Sequence, residues 1–584
     1  MIGIWEEREM GTSQETGSKS IFLSLAGKIQ RFCKKIESIP GKLPEFIACI
    51  IYAVAHMFIG FFHEPWYDEA VAWQIARCAS VKDILFEVPH YEGHPPLWHL
   101  ILAPFAKLGA PYELSLTLVS LIFAGAASCL IIWKSPFPRI IRLLLPFTYF
   151  FFYQYGVVSR PYCVMMLVFV LLAIAYQKRN TKPGIYVLFL MLLCLTSAYG
   201  ILIAGGLAIA WILEMWSCQN VFAFIKKMLR DKRTLWLFIL IIFAVLLILG
   251  IMPREDNFAI HNMSGYDSLE GYTRCLLYML FALPAEVSMT SIYMEYTLLK
   301  SIQLPWVSLI MTSLIGLAFW IFVIIWGKRK KTVPALIVPF VLYAIFAAFV
   351  YVYPHHIGIG LYIFVFWFWI SLNEPESSIQ QWSMQTKTVV KGALTLIGSV
   401  AMIISISWNV VSCVQDVLYS YAIGRNEAEF IKENGLDNYR IMAGWSVITD
   451  SNGEVVSMDI NHCNKVDSIA AYFDRNIFFN FNNGEDALNY STHKRASDKE
   501  TEEAIARWKE QPPDVLFLFP SIDLIYEDID ASDYRLVYTQ RNRKPWKGLY
   551  ENVDSKIYVH EDLIEKLQLE VPENSETYAK MLLF

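Results

Sequence analysis

Two adjacent carboxylates, Asp68 and Glu69, are the residues of this chain whose types and spacing best fit chemistry. They follow a long apolar run and lie in the segment 64–77, near Pro65 and aromatic residues typical of a membrane interface. A carboxylate pair there can accept a proton from a hydroxyl group or bind a divalent cation. The pair equally fits a structural role, with Asp68 as a helix N-cap and Glu69 in the first turn. Spacing alone leaves both interpretations open.

Other polar groups occur near the ends of apolar runs. Arg160 can form a forked hydrogen bond with a phosphate, or it can reach lipid headgroups from the end of a helix. The adjacent residues His355 and His356 could bind an anion or a metal ion, and a structural role fits them as well. His94 follows Asp68 in the same loop and could hydrogen-bond to that loop or to a bound sugar.

The composition is that of a membrane protein. Of the 584 residues, 55% are hydrophobic and 18% are charged, and the mean hydropathy is +0.39. That leaves too little polar surface for a wholly soluble chain of several domains. The net charge of -5 and the pI near 6.2 argue against a nucleic-acid partner, because phosphate contacts need a basic domain. The 10 cysteines are scattered without CxxC spacing, so neither a zinc site nor a disulfide framework is predicted.

The apolar runs predict an α-helical polytopic membrane protein with about eleven transmembrane helices, since one span needs roughly 17 to 25 apolar residues. The run 184–216 is too long for one span and is predicted to form two short helices joined at Tyr199 and Gly200. The predicted spans are 43–62, 112–133, 140–158, 161–177, two within 184–216, 234–252, 305–326, 332–352, 357–371 and 388–412.

Lys and Arg residues are concentrated in alternate loops, which predicts that those loops are cytoplasmic. The N-terminal segment 1–42 is then cytoplasmic, without a cleavable signal, and the region 413–584 is extracytoplasmic. The acidic and histidine residues of the membrane region gather on the outer side, where the first outer loop covers 63–111. The stretches 94–106 and 273–287 are expected to lie in the membrane interface, because they are too short or too interrupted to span.

The C-terminal region alternates between helical and extended patterns, which predicts a small α/β domain of about 160 residues. It has no phosphate-binding glycine loop, so we expect it to cover a site or to select an acceptor rather than to catalyse a reaction. The predicted helices are 426–433 and 501–509, and the predicted strands are 439–443, 514–519, 535–538 and 556–559.

Three motifs together resemble those of the bacterial membrane glycosyltransferases of family 39. These enzymes are relatives of the protein O-mannosyltransferases and of the lipid A aminoarabinose transferase. The similarity covers roughly residues 43–412, and its most specific part is the acidic pair followed by His-Pro-Pro in one outer loop. The motifs are Trp-Tyr-Asp-Glu-Ala at 66–70, His-Pro-Pro-Leu at 94–97 and Ser-Arg-Pro-Tyr at 159–162, with weaker ones at 196–200 and 355–358.

The resemblance implies a C-type glycosyltransferase fold in the plasma membrane. A sugar would pass, with inversion, from a polyprenyl-phosphate donor to a lipid, glycan or protein acceptor on the extracytoplasmic face. The acidic residue of the family's first loop corresponds to Asp68 as general base, with Glu69 as its catalytic or orienting neighbour. No cofactor is required, although a divalent cation at this pair is compatible with the motif. The expected ligands of the donor phosphate or the substrate are Arg160, His355, His356, His94 and Tyr162.

Two other classes of membrane protein are alternatives to a transferase. A lipid-linked glycan transporter or flippase needs charged groups along a path through the membrane, whereas the predicted spans carry few. A polysaccharide polymerase would carry its main outer loop late in the chain, not an acidic first loop with His-Pro-Pro. A transferase is therefore the favoured hypothesis.

Overall fold

A computed structural model gives the fold of most of the chain. The first 34 residues of the predicted N-terminal segment lie outside the described residues, as do His261, His462 and His493. The structure describes residues 35–216, 220–257, 269–289, 306–375, 384–422, 424–443, 446–449, 455–459, 464–480, 494, 497–518, 533–541, 544–546, 549–551 and 554–572.

In the described part of the chain, six helices are long and apolar enough to cross a membrane. The helix Lys232–Ile251 is the most exposed of them, with only 11% of its most apolar window buried, so its surface suits contact with lipid tails. The protein is thus a helical membrane protein by the length and apolar character of these elements. The six helices are Leu43–Phe62, Tyr112–Lys134, Ala198–Met215, Lys232–Ile251, Trp306–Lys330 and Met384–Leu418.

Four shorter apolar helices coincide with other predicted spans. The shortest, Pro183–Cys194, has 12 residues and is about 18 Å long, whereas the hydrocarbon core of a bilayer is about 30 Å thick. The count of eleven spans therefore stays a prediction. The four are Tyr162–Tyr176, Pro183–Cys194, Val333–Phe349 and Ile359–Asn373.

Two details of the predicted spans are wrong. The stretch 140–158 is not one α-helix, because the chain breaks near Pro146, which cannot donate a backbone hydrogen bond. The break in 184–216 lies at residues 195–197, where the Ser197 hydroxyl accepts a hydrogen bond from the Gly200 amide and caps the next helix. The broken stretch consists of the helix Arg139–Leu144, the 3-10 turn Leu145–Phe147 and the π-helix Phe150–Val157.

Short helices connect the long ones on both sides of the bundle. The predicted interface helix at 94–106 begins at Leu97 and keeps Pro104 inside it. The predicted interface stretch 273–287 is helical but includes a π-helical segment. The connecting helices are Tyr67–Cys78, Val81–Phe86, Val88–Glu92, Leu97–Lys107, Val221–Met228, Leu269–Leu277, Tyr278–Ala282 (π), Leu283–Met289 and Pro354–His356 (3-10).

The C-terminal region has a hydrophobic core of its own and contains the predicted helices and strands. The helices are Gly424–Glu433, Leu436–Asn438 (3-10), Asn464–Ala470, Asp498–Glu510 and Glu561–Leu567. The strands are β1 Ile441–Ala443, β2 Ser446–Thr449, β3 Val455–Asp459, β4 Val515–Leu518, β5 Tyr534–Arg541, β6 Lys544–Trp546, β7 Leu549–Glu551 and β8 Asp554–His560. The main sheet has the order β1-β4-β8-β5, in which β1 and β4 are parallel and the other neighbours antiparallel. β2 pairs with β3, and β6 with β7.

This C-terminal domain packs against the first loop. The guanidinium of Arg77 donates hydrogen bonds to the carbonyl oxygens of Ala470 at 3.0 Å and Phe473 at 3.2 Å. Arg425 forms an ion pair with Glu113 at 2.8 Å. The domain and the loop that carries Asp68 therefore lie on the same side of the helical bundle. Its assignment to the outer side is a prediction from the Lys and Arg distribution.

Candidate functional site

Asp68 lies in the first turn of the helix Tyr67–Cys78, called here the loop helix. Its N-cap is Trp66, so the interpretation of Asp68 as the N-cap is wrong. Glu69 makes the capping contact instead, because its carboxylate accepts a hydrogen bond from the Trp66 amide at 3.2 Å. The side chain of Asp68 is thus not used for capping, and it points toward another part of the chain.

Asp68 forms an ion pair with Arg160, which is 92 residues away in sequence. Nη2 of Arg160 lies 3.1 Å from Oδ2 of Asp68, and Nη1 donates a hydrogen bond to the Asp68 carbonyl oxygen at 2.8 Å. The Asp68 side chain is 19% exposed and the Arg160 side chain is 13% exposed, so the pair is mostly shielded from water but can still be reached by a ligand. The predicted base and the predicted phosphate ligand are therefore neighbours.

Arg160 and Tyr162 each have an unused donor in this region. Within the described residues, neither Nε of Arg160 nor the Tyr162 hydroxyl makes a hydrogen bond of good geometry, and both atoms are buried. The two side chains lie close enough to interact with each other. A buried donor without an acceptor is costly, about 1–3 kcal/mol, unless a ligand or water satisfies it. The two groups are thus suited to bind an oxyanion.

Glu69 is fully buried and holds the backbone on both sides of this ion pair. Oε2 accepts a hydrogen bond from the Trp66 amide, while Oε1 accepts one from the Ser159 amide at 2.5 Å. Trp66 precedes Asp68 by two residues, and Ser159 directly precedes Arg160. Both carboxylate oxygens are therefore engaged, and the geometry favours the orienting role for Glu69.

His63 connects Glu69 to the last long helix. Its Nε2 lies 3.1 Å from Glu69 and its Nδ1 lies 2.8 Å from Asp416 in Met384–Leu418. Burial alone would lower the pKa of His63, but the charges of Asp416 and Glu69 and their hydrogen bonds outweigh it and raise the pKa to about 10. His63 is therefore a protonated bridge between two buried carboxylates at neutral pH.

The histidine pair lies on the 3-10 turn Pro354–His356 and packs against both motifs. The His355 ring is 5.7 Å from the Trp66 ring, and the His356 ring is 5.9 Å from the Tyr162 ring. Burial lowers the pKa of His356 well below its usual value, and the neighbouring His355, His94 and Arg160 lower it further. Nδ1 of His356 accepts a hydrogen bond from the Tyr353 amide at 3.0 Å, so the neutral ring carries its proton on Nε2.

Glu92 is a third carboxyl group near the ion pair, and sequence analysis did not single it out as a site residue. It ends the helix Val88–Glu92, after which Gly93 has a φ of 64° and turns the chain toward His94. Burial raises the pKa of Glu92 to about 7, with Arg160 lowering it and Asp68 raising it. The sequence signal that could have pointed to Glu92 as a site residue was its position two residues before His94.

His94 and two tyrosines complete the surroundings of the pair. The pKa of His99 is lowered to about 3, mainly by burial and further by the neighbouring His94 and Arg160. Burial raises the pKa of Tyr67 well above its usual value, and the charges of Glu92 and Asp68 raise it further. Tyr351 lies close enough to Asp68 to interact with its charge. Tyr351 and His99 were not predicted as site residues, because nothing in their spacing distinguishes them from ordinary interfacial residues. Tyr67 belongs to the motif at 66–70 but was not singled out within it.

The arrangement can perform acid–base chemistry on an anionic ligand. It combines a carboxylate, a guanidinium with an unused donor, a carboxyl group with a pKa near neutrality and a neutral imidazole. Within the described residues, no group of three or more His, Cys, Asp or Glu side chains is arranged to hold a metal ion. The divalent cation at Asp68 and Glu69 stays a prediction.

Glu69→Ala should destabilise the protein by about 3–5 kcal/mol, because it leaves His63 and two backbone amides buried without their acceptor. Denaturant unfolding in mixed micelles measures this change. Glu87→Ala is the matched control, since Glu87 is an exposed carboxylate paired with Arg254 and should cost no more than about 1 kcal/mol. Equal losses for the two variants would contradict the buried network.

Comparisons with known proteins find no relative of this chain. No protein-family model matches the chain, no curated protein matches it, and no solved structure matches it.

Proposed function

We propose that the protein is an integral-membrane glycosyltransferase. It moves a sugar from a polyprenyl-phosphate donor to an acceptor hydroxyl on the extracytoplasmic face, with inversion at the anomeric carbon. The acceptor is a lipid, a glycan or a protein. The proposal joins the resemblance of the motifs to family 39 with the membrane character of the chain and the chemistry of the Asp68 region.

The observation that carries the proposal is the ion pair between Asp68 and Arg160. These residues belong to two motifs that are far apart in sequence, and a third motif, His355-His356, packs against the same segment through Trp66. The first residue of the helix Tyr162–Tyr176 is beside the pair, so a lipid chain in the bilayer could reach it. A water-soluble substrate alone would not need a site at the end of apolar helices.

The reaction is a displacement at the anomeric carbon. Asp68 accepts the proton of the acceptor hydroxyl as its oxygen bonds to that carbon, and the bond from the carbon to the phosphate oxygen breaks. The polyprenyl phosphate leaves with the bonding electrons. Arg160, through its unused Nε–H, and His356, through Nε2–H, donate hydrogen bonds to the phosphate as negative charge develops on it. Glu69 holds the backbone next to Asp68 and next to Arg160, and so fixes the base and the guanidinium relative to each other.

The role of Glu92 follows from its position beside Asp68 and Arg160. Below a pH of about 7 Glu92 is neutral, and the charges of Asp68 and Arg160 cancel. Above that pH the ionised Glu92 adds a negative charge to the site, which repels an anionic donor. The site is therefore best suited to bind its phosphate when Glu92 is protonated.

Asp68→Asn should lower sugar transfer by a factor of about 10² to 10⁴, the usual contribution of a general base. Purified protein in liposomes is incubated with a panel of labelled polyprenyl-phosphate sugars, and transfer to an acceptor is scored. Asp83→Asn is the matched control, because Asp83 lies on the same loop and its side chain accepts a hydrogen bond from the exposed Ser80 hydroxyl at 2.7 Å.

Full activity of Asp68→Asn would contradict its role as base. If wild-type protein consumes no donor while labelled lipid still crosses the liposome membrane, the transporter alternative replaces the transferase. Intact folding of both variants is checked by size-exclusion chromatography and unfolding in detergent.

Donor affinity should fall about fivefold between about pH 6 and about pH 8, because one added negative charge near the phosphodiester costs roughly 1 kcal/mol. Glu92→Gln should remove most of this dependence, since the pKa of Glu92 is about 7. The measurement is the KM for a phosphodiester-linked donor across this range. Glu87→Gln, an exposed carboxylate change on the same loop, should keep it. Identical profiles for wild type and Glu92→Gln would rule out this role.

A further inference from the structure

A polar groove lies at the end of the bundle opposite Asp68. The helix Tyr162–Tyr176 starts beside Arg160 and runs away from it, so the loop 177–182 that follows is at the far end. The start of the helix Lys232–Ile251 lies beside this loop, because Arg233 donates a hydrogen bond to Asn180 at 2.7 Å. The groove is lined by Asn180, Thr181, Pro183, Arg230, Asp231, Lys232 and Arg233.

The lining of this groove carries excess positive charge. It contains three cations, Arg230, Lys232 and Arg233, and one carboxylate, Asp231, for a net charge of +2 (three minus one). Arg233 donates hydrogen bonds to both oxygens of Asp231, with Nε at 3.0 Å and 2.9 Å from them. The side chains of Arg230 and Lys232 are exposed and contribute the excess charge. An anion therefore suits this groove electrostatically.

Hydrogen bonds hold the floor of the groove in place. The Asn180 side-chain oxygen accepts one hydrogen bond from the Trp211 indole at 2.9 Å and another from Arg233. The adjacent Arg179 forms an ion pair with Glu214 at 2.7 Å. Trp211 and Glu214 both belong to the helix Ala198–Met215, so this helix, the loop 177–182 and the start of Lys232–Ile251 together fix the shape of the groove.

Lipid-facing surface begins directly beside the groove. The helices Pro183–Cys194 and Lys232–Ile251 start side by side, and a Cβ at Gly184 would come within 2.8 Å of the Trp236 ring. Within two turns of the groove, both helices expose large apolar side chains. These side chains are Ile185, Leu188, Leu235 and Phe238. The groove thus lies at the depth of lipid headgroups, with room for acyl chains alongside.

The segment before the groove has the properties of a helix lying on a membrane surface. Phe222 is 89% exposed and Leu229 is 78% exposed, although both are large and apolar. Lys226 and Arg230 in the same segment are exposed as well. Exposed apolar and basic residues together in one short helix and the turn after it are typical of binding to an anionic membrane interface.

We propose that this groove binds the headgroup phosphate of an anionic phospholipid in the leaflet opposite the Asp68 site. Arg230 and Lys232 contact the phosphate, and the acyl chains lie along the apolar faces of Pro183–Cys194 and Lys232–Ile251. The proposal is independent of the glycosyltransferase activity, because no residue of the groove belongs to the Asp68 site.

Native mass spectrometry of the purified full chain tests the proposal. The protein is titrated in neutral detergent with dioleoylphosphatidylglycerol and, separately, with dioleoylphosphatidylcholine. We expect one phosphatidylglycerol to bind with clear preference over phosphatidylcholine. Arg230→Gln with Lys232→Gln should weaken phosphatidylglycerol binding about 30-fold, since each basic residue near a membrane surface contributes about a factor of five. Each single variant should weaken it about fivefold.

Lys134→Gln with Lys328→Gln is the matched control, because these residues are basic and at the same end of the bundle but do not line the groove. The proposal is overturned if phosphatidylcholine binds equally well, or if the control variant weakens binding as much as the groove variant. It is also overturned if millimolar inorganic phosphate displaces the lipid completely, since the groove would then recognise free phosphate. If the double variant does not fold, the two single variants at exposed positions decide the outcome.

Discussion

The buried carboxylate of Glu69 is the contact on which the candidate site depends. It accepts hydrogen bonds from the backbone beside Asp68 and beside Arg160, and it bonds to His63. It thus joins the loop helix to the residue before Arg160, in addition to the direct ion pair between Asp68 and Arg160. The strength of this contact comes from burial, because a hydrogen-bonded charge in a medium of low polarity has no water to replace its partners.

The same network reaches the C-terminal domain. His63 contacts Asp416 near the end of the helix Met384–Leu418, which leads into that domain. Arg425, in the first helix of the domain, donates backbone and side-chain hydrogen bonds to the segment around Glu64 and to Glu113. The domain is thus fixed to the loop that carries Asp68. This attachment fits an expected role in covering the site or in selecting an acceptor.

The positions of the helices followed from the sequence, because apolar runs of membrane length are a strong signal. The break at Pro146 was missed because the flanking residues are as apolar as those of a continuous span. The sequence places the other break at Tyr199 and Gly200 instead of at residues 195–197, because a glycine is a more visible turn signal than a serine cap.

The site was only partly predictable. The motifs indicated Asp68 and Arg160 separately, but their ion pair depends on the packing of distant helices. The sequence also does not report that the two adjacent acidic residues differ in burial, since Glu69 is buried as an anchor and Asp68 is partly open. The raised pKa of Glu92 is a consequence of burial, which no local pattern of residues reports.

The central claim is that the Asp68 and Arg160 region binds the phosphate of a polyprenyl-phosphate sugar. The most direct test is an experimental structure of the protein in a lipid nanodisc with a polyprenyl phosphate bound. We predict phosphate oxygens within about 3 Å of Arg160 and His356, with Asp68 facing the position of the anomeric carbon. A phosphate bound elsewhere, with the Asp68 and Arg160 pair unchanged and out of contact with it, would contradict the account.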